Sequence, residues 1–177
     1  MFKRIGLWFR GYQLSPLTAG RLYRAGEMPP RVLKRVCRRL GIRTVVDLRH
    51  ERDRRSRRRP KLYARLVREE AEALQSIGVR YCRIVGRQTP PQETVEQFLD
   101  VVENEANQPV LMHCEDGLGR SGVFAAIYRI ECEGWDNERA HAEAAAFGSV
   151  RPGGRKHFRP GTTKGDYILA YRPRGRA

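Results

Sequence analysis

Cys114 and Arg120, six positions apart, bracket the run His113-Cys114-Glu115-Asp116-Gly117-Leu118-Gly119-Arg120-Ser121-Gly122, and the flanks decide what that run can be. Upstream, Pro109-Val110-Leu111-Met112 is a short apolar stretch that reads as a buried parallel strand. Downstream, Val123, Phe124, Ile127, Tyr128 and Ile130 recur at the spacings of one helical face. The run is therefore a loop between a strand end and a helix start. Successive backbone N–H groups there form an anion-binding nest, and the positive end of the helix dipole aims at the same point. A phosphoryl group is the natural occupant.

Each side chain then has a physical task. A helix N-terminus and a neighbouring guanidinium favour a thiolate over a thiol, which makes Cys114 the candidate nucleophile. Arg120 can make paired N–H contacts to two phosphoryl oxygens and keeps its charge throughout. The backbone of Glu115, Asp116, Gly117, Leu118, Gly119 and Arg120 forms the candidate cradle, and Gly117 and Gly119 are expected to let it curl through positive φ. Ser121 is placed to hydrogen-bond the Cys114 sulfur when it leaves. His113 is expected to fix the loop through hydrogen bonds, since a thiolate needs no base.

The run resembles the signature of the cysteine-dependent protein tyrosine phosphatase superfamily: His-Cys, five variable residues, Arg, then Ser or Thr. The N-terminal half extends the likeness. Gly20-Arg21-Leu22-Tyr23-Arg24-Ala25-Gly26-Glu27, Pro29-Pro30 and Gly41-Ile42-Arg43-Thr44-Val45-Val46-Asp47-Leu48-Arg49 look like the opening of small bacterial-type dual-specificity phosphatases. The resemblance covers roughly residues 20 to 150. It implies metal- and cofactor-independent hydrolysis through a phosphocysteine, with phosphorylated protein or another anionic phosphate ester as partner. Inositol phosphates, RNA 5′-triphosphate and a phosphate-binding module without turnover are the alternatives. Arg24 and Arg49, at strand ends, are candidates to face substrate or else solvated charge.

One family feature is missing. The resemblance implies an aspartate general acid on the loop before the catalytic strand, and no Asp occurs between Asp53 and Asp100. Thr89-Pro90-Pro91-Gln92 reads as a helix start with Thr89 as cap and Gln92 closing a capping box. Glu93 in the first turn is then one candidate acid. Asp116, resembling the loop aspartate of myotubularin-like phosphatases, is the other.

Length and patterning bound the rest. The 177 residues suit one domain with a real core. Strands near 21–24, 43–48, 79–85 and 109–113 alternate with helices near 30–40, 61–77, 91–105, 120–133 and 136–147, and a last helix near 166–171. This is an α/β architecture with a mainly parallel central sheet flanked by helices on both sides. The expected division is a basic, apolar segment over 1–19, a catalytic domain over 20–150, and a basic loop, helix and tail over 151–177. No apolar run is long enough to span a membrane. Cys37, Cys82, Cys114 and Cys132 show neither metal nor disulfide spacing, which suits reduced thiols, core roles for all but Cys114, and a cytoplasmic protein. The net charge of +15 is uneven: residues 1–61 carry 19 Lys or Arg against four Asp or Glu, whereas the rest balance at 16 each. The run Arg49 to Lys61 is a possible polyanion contact or a charged connection, and it lacks the interleaved aromatics that base stacking needs.

Overall fold

The structure is a computed structural model that describes residues 12–50, 57–148 and 158–175. Five strands, β1 (Ser15–Thr18), β2 (Leu22–Gly26), β3 (Thr44–Asp47), β4 (Arg80–Arg83) and β5 (Val110–Cys114), form one sheet in the order β1-β2-β5-β3-β4. All neighbours are parallel except the β1–β2 pair. Among the described residues six α-helices accompany them: α1 (Pro30–Leu40), α2 (Pro60–Gln75), α3 (Gln92–Glu103), α4 (Arg120–Glu133), α5 (Asn137–Gly148) and α6 (Thr163–Leu169). The α/β expectation holds, with a mixed, mostly parallel sheet. Strand β1 was not anticipated. It has four partly exposed residues at the sheet edge and contains Pro16, which gives no alternating apolar signal and which only an edge strand tolerates.

The pleat sorts side chains into two cores. Leu22, Val46, Val110 and Met112 pack with Val95, Phe98 and Leu99 of α3, Val123, Phe124 and Ile127 of α4, Ala140 of α5 and Ile168 of α6. Tyr23, Ala25, Val45 and Leu111 pack on the other face with Leu33, Val36 and Cys37 of α1 and Leu74 of α2. β5 is buried at every position, as a parallel strand covered on both faces must be. α1 meets this demand with a one-sided pattern whose apolar stripe faces in. α4, buried around most of its circumference, is the central helix of the thicker layer.

Helix ends follow local chemistry, with one correction. Asp136 Oδ1 accepts from Arg139 N at 2.6 Å and caps α5, and Gly134 closes α4 in the left-handed region. The expected capping box at Thr89 does not form: α3 begins at Gln92, preceded by Pro91 in extended conformation. A proline disfavours helical geometry in the residue before it, so Pro91 keeps Pro90 out of the helix. The last helix starts at Thr163 rather than near 166, because Thr162 Oγ1 accepts from Gly165 N at 3.3 Å. Cys132, read as core, is exposed on α4, whereas Cys37 is buried as expected. Among the described residues no helix is long and apolar enough to cross a membrane.

Phe158 locks the C-terminal segment onto α4. Its ring is fully buried, and a Cβ on Gly122 would sit 2.6 Å from the ring's Cζ. Gly122→Ala should therefore destabilise the protein by about 1–3 kcal/mol through overpacking, measured by urea denaturation, and combining it with Phe158→Leu should recover part of the loss. Equal midpoints for Gly122→Ala and the parent protein would show that this contact is slack.

Candidate active site: a phosphate loop at the end of the central strand

The alternation of β5 divides the two residues at its C-terminal end. Cys114 shares the α4 face with Met112, while His113 turns to the opposite face beside Asp47, its register partner on β3. The loop that follows is pinned on β2: Glu27 N donates to Glu115 O at 3.2 Å, and Gly26 pairs with Cys114. Gly117 has φ +72°, and a Cβ there would lie 2.5 Å from Gly26 N, so only glycine fits. Gly119 has an ordinary φ of −74°, contrary to the expectation of a positive one. It is the N-cap of α4, and its carbonyl accepts from Gly122 N and Val123 N, both at 3.1 Å.

The reacting groups converge at this point. Cys114 is 2% exposed, and its Sγ lies 3.5 Å from Oγ of the fully buried Ser121, close enough for the hydroxyl to donate to a thiolate. Arg120 is buried at the first position of α4, and its Nη1 donates to Leu48 O at 2.7 Å, which aims the guanidinium from the end of β3. Leu118 is buried, Glu115 half-buried and Asp116 exposed. Glu93 is exposed in the first turn of α3. The connection leading to it passes the site, since a Cβ on Gly86 would lie 3.0 Å from Leu48 O, the carbonyl that holds Arg120.

Beneath the loop lies a charge network that the sequence reading did not assemble. Arg49, 1% exposed, bonds Asp47 through Nε to Oδ1 and Nη2 to Oδ2, both at 2.8 Å, Glu70 Oε2 at 2.8 Å and Glu27 Oε2 at 3.1 Å. Tyr81 Oη donates to Asp47 Oδ2 at 2.6 Å, and His113 Nε2 lies 2.8 Å from Glu70 Oε1. Arg49 is thus a buried structural cation, facing neither substrate nor solvent and adding nothing to a surface patch. Of the basic run, residues 51–56 lie outside the described residues, and Arg57, Arg58 and Arg59 are exposed. Arg24 is buried too, with its guanidinium over the Phe147 ring and its pKa brought down to about 9, chiefly by burial. Asp47, Glu70 and His113 bring ligand-type atoms within 4.8 Å of one another, but Arg49 and Tyr81 already occupy the carboxylates. The set is an ion-pair cluster, poorly suited to hold a metal.

Burial alone would push the Asp47 carboxyl up; His113 and Arg49 reverse this and hold it well below the usual carboxylate range. Burial opposes charge on His113, but Glu70 and then Asp47 raise it above the ordinary histidine value. Its proton therefore stabilises the fold fully below about pH 6.5, and that contribution fades as pH rises through the raised folded value. The stability gap between the parent protein and His113→Asn should be widest near pH 6 and shrink above about pH 7, read by urea denaturation across pH. A constant gap up to about pH 9 would mean that folding leaves the ring's affinity for its proton unchanged, and a gap that widens with pH that the folded ring is neutral.

One residue near the loop escaped the sequence reading altogether. Lys164, on α6, is 5% exposed, and a Cβ on Gly119 would come 3.1 Å from its Nζ. Its pKa is lowered by burial, partly offset by the charges of Cys114 and Asp116. Only the Thr162-Thr163 helix start beside it could have hinted that an ordered element delivers it.

The family described as DSP-PTPase phosphatase fused to NAD+ kinase matches residues 17–156, and the chain belongs to it. The dual specificity protein phosphatase TpbA of Pseudomonas aeruginosa is 48% identical over 50 residues, which span 28% of this chain and 22% of that protein. The fold matches the core catalytic domain of the PP-IP phosphatase SIW14 from S. cerevisiae, with a TM-score of 0.68 at 20% identity over 90% of this chain and 85% of that one. It also matches P. aeruginosa TpbA, with a TM-score of 0.61 at 25% identity over 91% of each chain.

Proposed function

We propose that this protein is a phosphatase that hydrolyses phosphate monoesters of tyrosine, serine or threonine in proteins through a phosphocysteine on Cys114. The observation that carries the reading is the convergence of Cys114 Sγ, Ser121 Oγ and the buried Arg120 on one loop between β5 and α4. The Cys114 thiolate attacks phosphorus, and the phosphorus–oxygen bond to the leaving group breaks while that oxygen takes a proton from a carboxylic acid. Water then attacks the phosphocysteine and gives a proton back to that carboxylate, the sulfur–phosphorus bond breaks, inorganic phosphate is released and the thiolate is regenerated, with Ser121 donating to the departing sulfur. Arg120 and the loop N–H groups hold the equatorial oxygens through both steps. No metal enters this chemistry. Membership of the DSP-PTPase family and the name of TpbA support the protein-phosphatase reading. Four free cysteines fit the cytoplasm, to which we assign it.

Cys114→Ser should abolish release of p-nitrophenolate from p-nitrophenyl phosphate yet retain measurable vanadate binding, because the loop and Arg120 bind while sulfur attacks. Residual turnover above about a hundredth of the parent would remove Cys114 from the role. Arg120→Lys should lose both affinity and rate, since the paired contact to two oxygens goes with the guanidinium.

The acid is assigned by leaving-group dependence. A good leaving group needs little protonation, so removing the acid should cost little with p-nitrophenyl phosphate and more with phenyl phosphate, up to about 10²–10⁴. Glu93→Gln should show this widening gap, and Asp116→Asn should slow all substrates evenly by disturbing the loop. The opposite pattern moves the role to Asp116. An unchanged slope in both variants favours the second reading, a polyanionic ester or phosphoanhydride such as an inositol phosphate or RNA 5′-triphosphate, which the buried Lys164 cation also suits.

A further inference from the structure

We infer that Lys164 is a second cationic ligand of the phosphoryl group, delivered to the phosphate loop from outside it by α6. The inference rests on the phosphatase reading above. Arg120 is the only cation within the loop sequence itself, and Glu115 and Asp116 add negative charge beside it. A dianionic phosphoryl entering next to a thiolate and two carboxylates needs more positive charge than one guanidinium supplies. Lys164 brings it, buried to 5% exposure.

Two observations at Gly119 locate this ammonium. Gly119, the N-cap of α4, has a negative φ of −74°. A Cβ there would come 3.1 Å from Lys164 Nζ, so the ammonium stands directly against the loop at this residue. The missing side chain at Gly119 clears the route by which the ammonium reaches the loop.

The element that carries the lysine is also held on several sides. Phe158 sits over Gly122 one turn into α4, and a Cβ on Gly165 would meet Arg159 O at 2.5 Å, so the backbone of the segment is packed on itself. Tyr167 Oη donates to Pro90 O at 2.8 Å, while Asn137 Nδ2 donates to Leu169 O at 3.0 Å and to Tyr171 O at 2.8 Å. A helix of seven residues tied at both ends places its lysine with little freedom left to lose on binding.

The charges that act on Lys164 point the same way. Cys114 and Asp116 attract it, and Arg120 repels it. When Cys114 attacks, its thiolate charge faces the ammonium; in the phosphoenzyme that charge is gone and the phosphoryl oxygens take its place. The ammonium thus faces an anion at each stage, and it offsets the new charge when substrate arrives. Burying a cation costs free energy unless it is paired, and this location supplies the pair throughout turnover.

The test uses competitive inhibition of p-nitrophenyl phosphate hydrolysis by inorganic phosphate in the full chain. Lys164→Met should raise the inhibition constant for phosphate about tenfold or more, the loss expected for one charge-assisted hydrogen bond, and KM should rise with it. Lys164→Arg should keep part of the affinity. Gly119→Ala should weaken phosphate in the same direction by displacing the ammonium. An inhibition constant for Lys164→Met within about twofold of the parent would overturn the inference while leaving the phosphatase reading intact. A steeper dependence of rate on leaving-group pKa with unchanged phosphate affinity would overturn it as well, since Lys164 would then donate a proton instead of binding. If Lys164→Met does not fold, Lys164→Gln and Gly119→Ala decide, and unchanged phosphate affinity in either overturns the inference. A parent protein that neither binds phosphate nor releases it from any ester would instead sink the phosphatase reading itself.

Discussion

Arg49 is the interaction on which the site depends. A guanidinium at 1% exposure is tolerable only if its donors are met by acceptors and its charge by counter-charges, and carboxylates from three segments meet that demand. Asp47 ends β3, Glu27 follows β2 and Glu70 comes from α2, while Tyr81 on β4 and His113 on β5 complete the shell around the carboxylates. Asp47, Glu27 and His113 stand at the C-terminal ends of three parallel strands, where a parallel sheet presents its ligand site. Removing one partner from such a network leaves a buried charge uncompensated, typically at about 3–5 kcal/mol. The network therefore fixes how the strand ends sit relative to one another, and the phosphate loop is built on that fixed edge.

Period-two alternation along β5 turns this support into chemistry. Because neighbours on a strand face opposite ways, the residue before the nucleophile is committed to the charge network and the nucleophile itself to the α4 face. His113 thus cannot serve as a base toward Cys114 without leaving Glu70. It transmits position instead: strand end, loop start and the network beneath move as one body. Leu48 completes the link, since its N–H donates to His113 O at 2.8 Å and its carbonyl receives Arg120.

How much of this was legible depended on how local the cause was. The β5-loop-α4 unit is contiguous, and its residue types follow from backbone curvature and phosphate chemistry, so Cys114, Gly117, Arg120 and Ser121 could be placed from sequence. Arg49 could not, because it opens a run of exposed-looking arginines and its burial is decided by Glu70 and Glu27 from distant segments. Gly119 was read by the commonest reason for glycine, positive φ, whereas its φ is negative and the side chain that approaches it comes from α6. Lys164 was invisible for the same reason: among 35 basic residues nothing local distinguishes the one that folding brings to the loop.

The same helix bears on the missing aspartate. Tyr167 anchors the connection before α3 at Pro90, while Gly86 at its other end packs against Leu48. The segment between, Arg87-Gln88-Thr89, is thus held at both ends and contains no carboxyl, which leaves Glu93 beyond the anchor and Asp116 within the loop as the candidate acids. Two cations on the equatorial oxygens stabilise the phosphoryl group as it passes to sulfur, while the charge that develops on the leaving oxygen still calls for a proton. One short helix thus touches both segments that flank the site: Lys164 of α6 stands against the loop at Gly119, and Tyr167 of α6 holds the connection that leads to Glu93.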